Sequence, residues 1–130
     1  MRSVSGPCDE SLLLEDIADC SLRLIELGAD VPADYTGGDR PLNEMILWNL
    51  VVLGEAAKRL PSEIRRRFGD VEWEKMMRTR DRITHHYEGI DWEIVLRIMA
   101  IDLPPLLPRL IEIRDIVRAE FDAAEAERDR

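Results

Sequence analysis

The stretch DRPLNEMILWNLVVLGEAAKRLP, residues 39–61, decides the fold. Within it Leu42, Met45, Ile46, Asn49, Leu50, Leu53, Ala56, Ala57 and Leu60 recur at intervals of three and one without a break. With 3.6 residues per turn, that spacing puts them on one face of a helix. Asp39 can cap its start, and Pro41 falls in the first turn, where a missing N–H costs nothing. A second stripe of Trp48, Val51, Val52 and Glu55 widens the apolar surface. Such a helix is expected to touch more than one neighbour, a second subunit among them. Asn49 stands inside the apolar stripe, where an amide needs hydrogen-bond partners. It is read as satisfying a neighbouring helix end, with a supporting role in a site as the alternative.

On the N-terminal side, Gly28 to Pro41 reads as a linker punctuated by Pro32, Gly37 and Gly38. Before it, Leu13, Ile17, Cys20, Leu24 and Leu27 recur at intervals of four and three, which predicts an amphipathic helix from Asp9 to about Leu27, stopped by Gly28. Residues 1–8 are rich in Ser, Gly and Pro and are expected to be loose. On the C-terminal side, Pro61 opens a short helix through Arg65, Arg66 and Arg67 to Phe68, with Gly69 a suitable residue just past its end. Asp70 to Glu72 can cap the next helix, near Trp73. Its stripe runs Trp73, Met76, Met77 and then onto Arg80, Thr84 and Tyr87, so a core face turns into a cation, a hydroxyl and a phenol. A buried unpaired arginine is costly, so these groups should line a cleft or a subunit interface.

Gly89 is expected to end that helix, and Asp91 to cap the last one, with Trp92, Val95, Leu96, Met99 and Leu103 inward. Pro104, Pro105 and Pro108 predict a kink or a restart, after which Leu107, Leu110, Ile113 and Val117 resume the pattern. The charged residues after Ala119 should fray. No period-two alternation, Asn-Gly hairpin signal or internal repeat occurs. The prediction is an all-α bundle of four main helices plus a short one, with a helical domain over 9–118 between a flexible N-terminus (1–8) and a charged C-terminal tail (119–130).

A chain of 130 residues, 45% hydrophobic, fits one domain with its own core. The net charge of −9 argues against a general nucleic-acid binder, whose affinity comes from neutralising phosphates. The charge is uneven, however. From Lys58 to Arg82 there are nine basic residues against five acidic ones, +4 locally, which leaves −13 on the remainder. Those residues read either as solvated helix faces or as an anion-binding surface on an acidic body. Cys8 and Cys20 fall twelve apart on one expected helix, about 18 Å, too far for a disulfide. Neither has metal-ligand spacing. There is no charged-then-apolar leader and no apolar run near 20 residues, so the expectation is a soluble, cytoplasmic protein with no membrane contact.

The run RDRITHHY, residues 80–87, holds both histidines, one of the two tyrosines and two arginines. A fixed cation, a group that titrates near neutral pH and a phenol suit phosphate-ester chemistry. Taken singly each has a plain reading: His85 a partly exposed helical histidine, Tyr87 a packed aromatic with its hydroxyl wet, Arg82 a solvated or phosphate-steering charge. The adjacent His86 lacks the i, i+4 spacing of a helical metal pair, and no metal or cofactor is expected.

Arg80, four residues, His85, one residue, Tyr87 resembles the Arg-x4-His-x-Tyr signature of HepT-like toxins, a branch of the HEPN superfamily. Residues 49–61, Trp73, Gly89-Ile90-Asp91 and Asp102-Leu103-Pro104 are also similar to that family, so the resemblance covers about Asp9 to Ile113. It implies a HEPN-type homodimer with its cleft at the subunit interface and metal-independent endonucleolytic RNA cleavage. It also implies a toxin-antitoxin system, in which an MntA-like minimal nucleotidyltransferase silences the toxin by transferring AMP to the signature tyrosine. Carried over, Arg80 and His85 would be catalytic and Tyr87 the adenylylation site, with Arg78 and Arg82 as RNA-phosphate contacts and Asn49 and Asp81 in supporting roles. Asp81 stands where the family commonly has a polar residue, often Asn, and an acid there weakens the arginine's pull on phosphate.

On a straight helix Arg80 and Tyr87 are nearly eclipsed while His85 is rotated by about 140°. Either the helix distorts near Thr84, or two copies meet across a two-fold axis and supply complementary groups; the second is preferred here. Two other classes remain open: a non-enzymatic dimeric subunit that presents Tyr87 to a nucleotidyltransferase, and a purely structural dimerisation module.

Overall fold

The computed structural model describes residues 9–130; Cys8, its relation to Cys20 and the expected loose N-terminus lie outside the described residues. Six α-helices follow one another: α1 (Glu10–Ala29), α2 (Arg40–Arg59), α3 (Ser62–Arg67), α4 (Trp73–His85), α5 (Trp92–Arg97) and α6 (Leu103–Arg128). A 3-10 turn spans Tyr87–Gly89, and a π-helical turn, Ile98–Asp102, joins α5 to α6 without a break. Counting that joined rod once gives four long elements and the short α3, the all-α arrangement expected from the sequence.

Helix α1 packs against both α2 and α6, and α2 packs in turn against α4. The core is the meeting of their apolar stripes. Leu14, Ile17 and Leu24 of α1, Ile46 and Leu50 of α2, Met99 and Leu110 and Ile113 of the last rod are each removed from solvent. Full burial of one such side chain stabilises the fold by roughly 1.5–3 kcal/mol. Asp9 caps α1 by accepting from Ser11 N–H, and Asp39 caps α2 by accepting from Leu42 N–H with Pro41 in the first turn.

Several expectations need correction. Gly28 does not stop α1, which runs to Ala29; a Cβ there would stand 2.9 Å from Met99 Cβ, so this glycine lets α1 approach the π turn. Gly37 is the one glycine among the described residues with positive φ (95°), and a Cβ there would also collide with the Trp92 indole. That indole stacks edge-on to Tyr35 at 5.5 Å, while the Tyr35 hydroxyl accepts from Asp39 N–H at 3.0 Å and meets the Asn43 side chain. The α1–α2 loop is thereby pinned to the start of α5. Gly69 stands just past the Phe68 C-cap of α3, as expected, but with a negative φ. The prolines do accompany an adjustment: the π turn directly precedes Pro104 and Pro105, whereas Pro108 sits inside α6. The charged residues after Ala119 continue α6, which runs to Arg128. Arg67 holds this end with a bidentate pair to Glu120 (2.6 and 2.7 Å), and that hydrogen bond lowers the Glu120 carboxyl below its ordinary range. Among the described residues no helix is long and apolar enough to cross a membrane.

Candidate active site

Helix α4 carries the site. Its N-terminal half is anchored by the buried Trp73, whose indole N–H donates to the Phe68 carbonyl at 3.0 Å, and by Met76. Ile83 buries the next turn. Between them, α4 crosses α2 at Gly54. A Cβ at Gly54 would overlap the Cβ of Arg80 and stand 2.7 Å from the Met76 carbonyl oxygen. The Arg80 stem therefore lies on bare backbone of α2, and its guanidinium emerges only a quarter exposed.

Two carboxylates hold that guanidinium. Its Nη1 donates to Asp81 Oδ1 at 2.9 Å, and its Nη2 lies 3.3 Å from Glu55 Oε2. Its Nε is buried with no hydrogen-bond partner among the described residues. The Arg80 hydrogen bond, aided by the charges of Lys58, Arg80 and His85, lowers the Asp81 carboxyl below the usual carboxylate range. The carboxylate form is thus retained throughout neutral pH.

Asp81 also reaches His85, through its backbone. His85 Nδ1 lies 2.7 Å from the Asp81 carbonyl oxygen, with Thr84 Oγ1 at 3.2 Å from the same nitrogen. A carbonyl can only accept, so Nδ1 carries a proton and Nε2 of the neutral ring keeps the lone pair. The imidazole is exposed, and its Nε2 has no hydrogen-bond partner among the described residues. Arg80 and His85 are accordingly tied to one residue, Asp81, by side chain and main chain respectively.

Tyr87 is placed differently from the expectation. Helix α4 ends at His85, because His86 leaves helical geometry (φ −136°, ψ 44°), so the helix stops before Gly89 and Tyr87 opens the 3-10 turn. Arg80, Thr84 and Tyr87 do not continue one buried stripe: Thr84 is exposed, Ile83 takes the inward position, and Tyr87 is 54% exposed. The helix breaks at His86, which frees Tyr87 from the phase of α4 but leaves Arg80 and His85 on one intact helix. Asn49 is buried, but its Nδ2 donates to the Met45 carbonyl of its own helix at 2.8 Å, not to a neighbouring helix end and not to Arg80 or His85. Arg78, Arg82 and His86 are exposed. No three metal-ligating side chains converge among the described residues.

Sequence reasoning missed Gly54 and Glu55. Glu55 was assigned to a stripe that widens apolar surface, whereas it is the distal partner of Arg80. The signal was available: an arginine at an inward position of α4 requires a carboxylate on the helix it faces.

An all-α bundle presenting an arginine, a tautomer-fixed histidine and a nearby exposed tyrosine is the frame of a HEPN-type domain. The chain belongs to the family described as Ribonuclease HepT-like, which matches residues 17–113. Among its relatives is a Methanocaldococcus jannaschii protein named provisionally as an RNase, 30% identical over 112 residues, covering 86% of this chain and 93% of the relative. A Thermococcus cleftensis protein, named provisionally as ribonuclease HepT, is 27% identical over 101 residues, covering 78% of this chain and 92% of its own. No solved structure matches the chain.

Proposed function

We propose that this protein is a metal-independent endoribonuclease, the toxin of a HEPN/nucleotidyltransferase toxin-antitoxin pair, and that its cleft is completed by a second copy of the chain. The observation that carries the reading is the His85 Nδ1 bond to the Asp81 carbonyl, which leaves Nε2 exposed on the helix that also carries Arg80. RNA cleavage without a metal requires removal of the 2′-OH proton, charge stabilisation on the crowded phosphorane and protonation of the leaving 5′ oxygen. His85 Nε2 takes the 2′-OH proton as that oxygen bonds to phosphorus. Arg80 exchanges Asp81 and Glu55 for phosphate oxygens, with its planar fork suited to two of them. The 5′ oxygen leaves with a proton from a second acid, and His85 of the other copy supplies it in a two-fold dimer. Arg78 and Arg82 contribute contacts to flanking phosphates. Trp48, 68% exposed, and Met45, half exposed, lie on the α2 face that leads to Glu55, and an unburied tryptophan supports α2 as the dimer face.

The test is cleavage of RNA by purified, unmodified protein in the presence of EDTA; absence of cleavage at any protein concentration would sink the reading. Asp81→Asn removes one of the two carboxylates that compete with phosphate for Arg80. The variant should show a severalfold lower KM for RNA. Sign matters here: the carboxyl is lowered in the folded protein, so its pairing is present above the ordinary carboxylate range and is lost only in acid, as pH falls through the depressed value. Between pH 5 and 8 the kcat/KM profiles of Asp81→Asn and the parent protein should therefore keep the same shape.

A second reading draws on the 54% exposure of Tyr87 and the double pairing of Arg80: a non-enzymatic subunit that offers Tyr87 to the nucleotidyltransferase. With an MntA-like partner and ATP, adenylate-sized mass increments are expected on Tyr87 under either reading, lost in Tyr87→Phe. The readings part on cleavage. Under the ribonuclease reading Tyr87→Phe still cuts RNA and no longer responds to the partner, as gel assays of RNA would report.

A further inference from the structure

Helix α3 and the first half of α4 enclose an open cleft of about 510 Å³, lined by Arg65, Arg66, Lys75 and Arg78. Two acids, Glu72 and Glu74, share it, so the cleft is net cationic on a chain of net charge −9. Arg65 is half committed: its Nη1 lies 3.6 Å from Glu74 and 3.4 Å from Met77 Sδ, and its Nε is buried without a partner. Lys75 leans toward Asp102 at 3.9 Å. Arg66 and Arg78 are exposed and belong to no ion pair among the described residues. Two unpaired cations facing one cleft repel each other, and an anion between them removes that repulsion.

The position of the cleft relative to His85 gives it a direction. Arg78 and His85 are seven residues apart on α4, so they stand about 20° from eclipsed and about 10 Å apart along the helix. Arg82 lies between them in height, offset to the side. Arg80 is on the far side of α4, against α2. A strand whose scissile phosphate lies at His85 can run down the outer face of α4, past Arg82, into the cleft.

We propose that the α3–α4 cleft is a backbone subsite for single-stranded RNA, in which Arg66 and Arg78 hold a non-scissile phosphate of the strand that passes His85. The proposal rests on the ribonuclease reading for its register but not for its chemistry, which is phosphate binding. It gives the local excess of basic residues between Lys58 and Arg82 a place: part of that excess forms a track, not only a set of solvated faces.

The experiment measures binding of a single strand of about ten 2′-O-methyl nucleotides, which lacks the 2′-OH nucleophile and stays intact. Kd is followed against salt for the parent chain, for Arg66→Gln/Arg78→Gln, and for Arg40→Gln/Arg128→Gln, which changes net charge equally at remote ends of α2 and α6. Each phosphate contact removed lowers the slope of log Kd against log salt by about 0.7, so the cleft variant should lose roughly 1.4 while the remote variant keeps the parent slope. Arg66→Lys/Arg78→Lys should keep most of the slope, since charge is retained. A cleft variant whose slope equals that of the remote variant overturns the proposal. Because the probe cannot be cut, a lowered slope without cleavage of ordinary RNA refutes the ribonuclease reading alone, and retained cleavage with an unmoved slope refutes the cleft alone.

Discussion

His85→Ala is expected to lower RNA cleavage by about 10²–10⁴-fold, the range that a positioned general acid–base group contributes. A two-fold dimer in which each His85 serves both as base and, toward the other copy, as acid would put the loss at the upper end. The fold should be almost unaffected. His85 is exposed, its hydrogen bonds stay within the last turn of α4, and surface substitutions of this kind shift stability by about 0.5 kcal/mol or less. His86→Ala is the matched comparison: same residue type, next position, also exposed, with no ring contact to Asp81. Its cleavage rate should equal that of the parent. Cleavage retained by His85→Ala would remove this residue from the mechanism. Equal losses in both variants would point to damage at the end of α4 instead of lost proton transfer.

The contrast between the two histidines also shows what a sequence can carry. Periodicity is a statement about helix phase, and it placed Ile17, Leu24, Ile46, Leu50 and Leu110 inward correctly because their burial is what creates it, although Met45 of the same α2 stripe is half exposed. It failed where the chain left the helix without a breaker. His86 is neither Gly nor Pro, yet its backbone ends α4, and every angle projected past it, including the eclipsing of Arg80 with Tyr87, ceased to apply. Gly28 misled in the opposite sense. It reads as a stop signal, but its reason is contact with Met99, and a helix tolerates glycine wherever a neighbour needs the space. Glu55 was invisible for a third reason. A carboxylate at the margin of an apolar stripe looks like solvated edge until the arginine across the interface is located. Arg80, His85 and Tyr87 were singled out by the resemblance to a family signature, whereas the groups around Arg80 depend on how two helices cross.

Gly54 is the point of that crossing, and Gly54→Ala is expected to be damaging for a change of a single methyl. In an open helical position this substitution stabilises by up to about 1 kcal/mol, since glycine loses more backbone freedom on folding. At Gly54 the sign should reverse. The added methyl overlaps the Arg80 Cβ and approaches the Met76 carbonyl oxygen to 2.7 Å, and neither is the yielding end of a flexible side chain. Helix α4 must move away from α2 by about 1 Å, and overpacking of this kind costs about 1–3 kcal/mol. For a domain of this size that lowers Tm by roughly 4–12 °C, read by circular dichroism. Catalysis should suffer beyond stability, because displacement of α4 moves Arg80 away from Glu55 and from the phosphate it would grip. A misplacement of about 1 Å costs on the order of 10²-fold in rate. Measured well below the variant's Tm, where it is folded, cleavage should fall by about that factor, and mainly in kcat. A raised Tm would mean that α2 and α4 do not meet at this glycine. A lowered Tm with full activity would mean that Arg80 acts independently of the crossing, and Glu55 would then have no part in holding it.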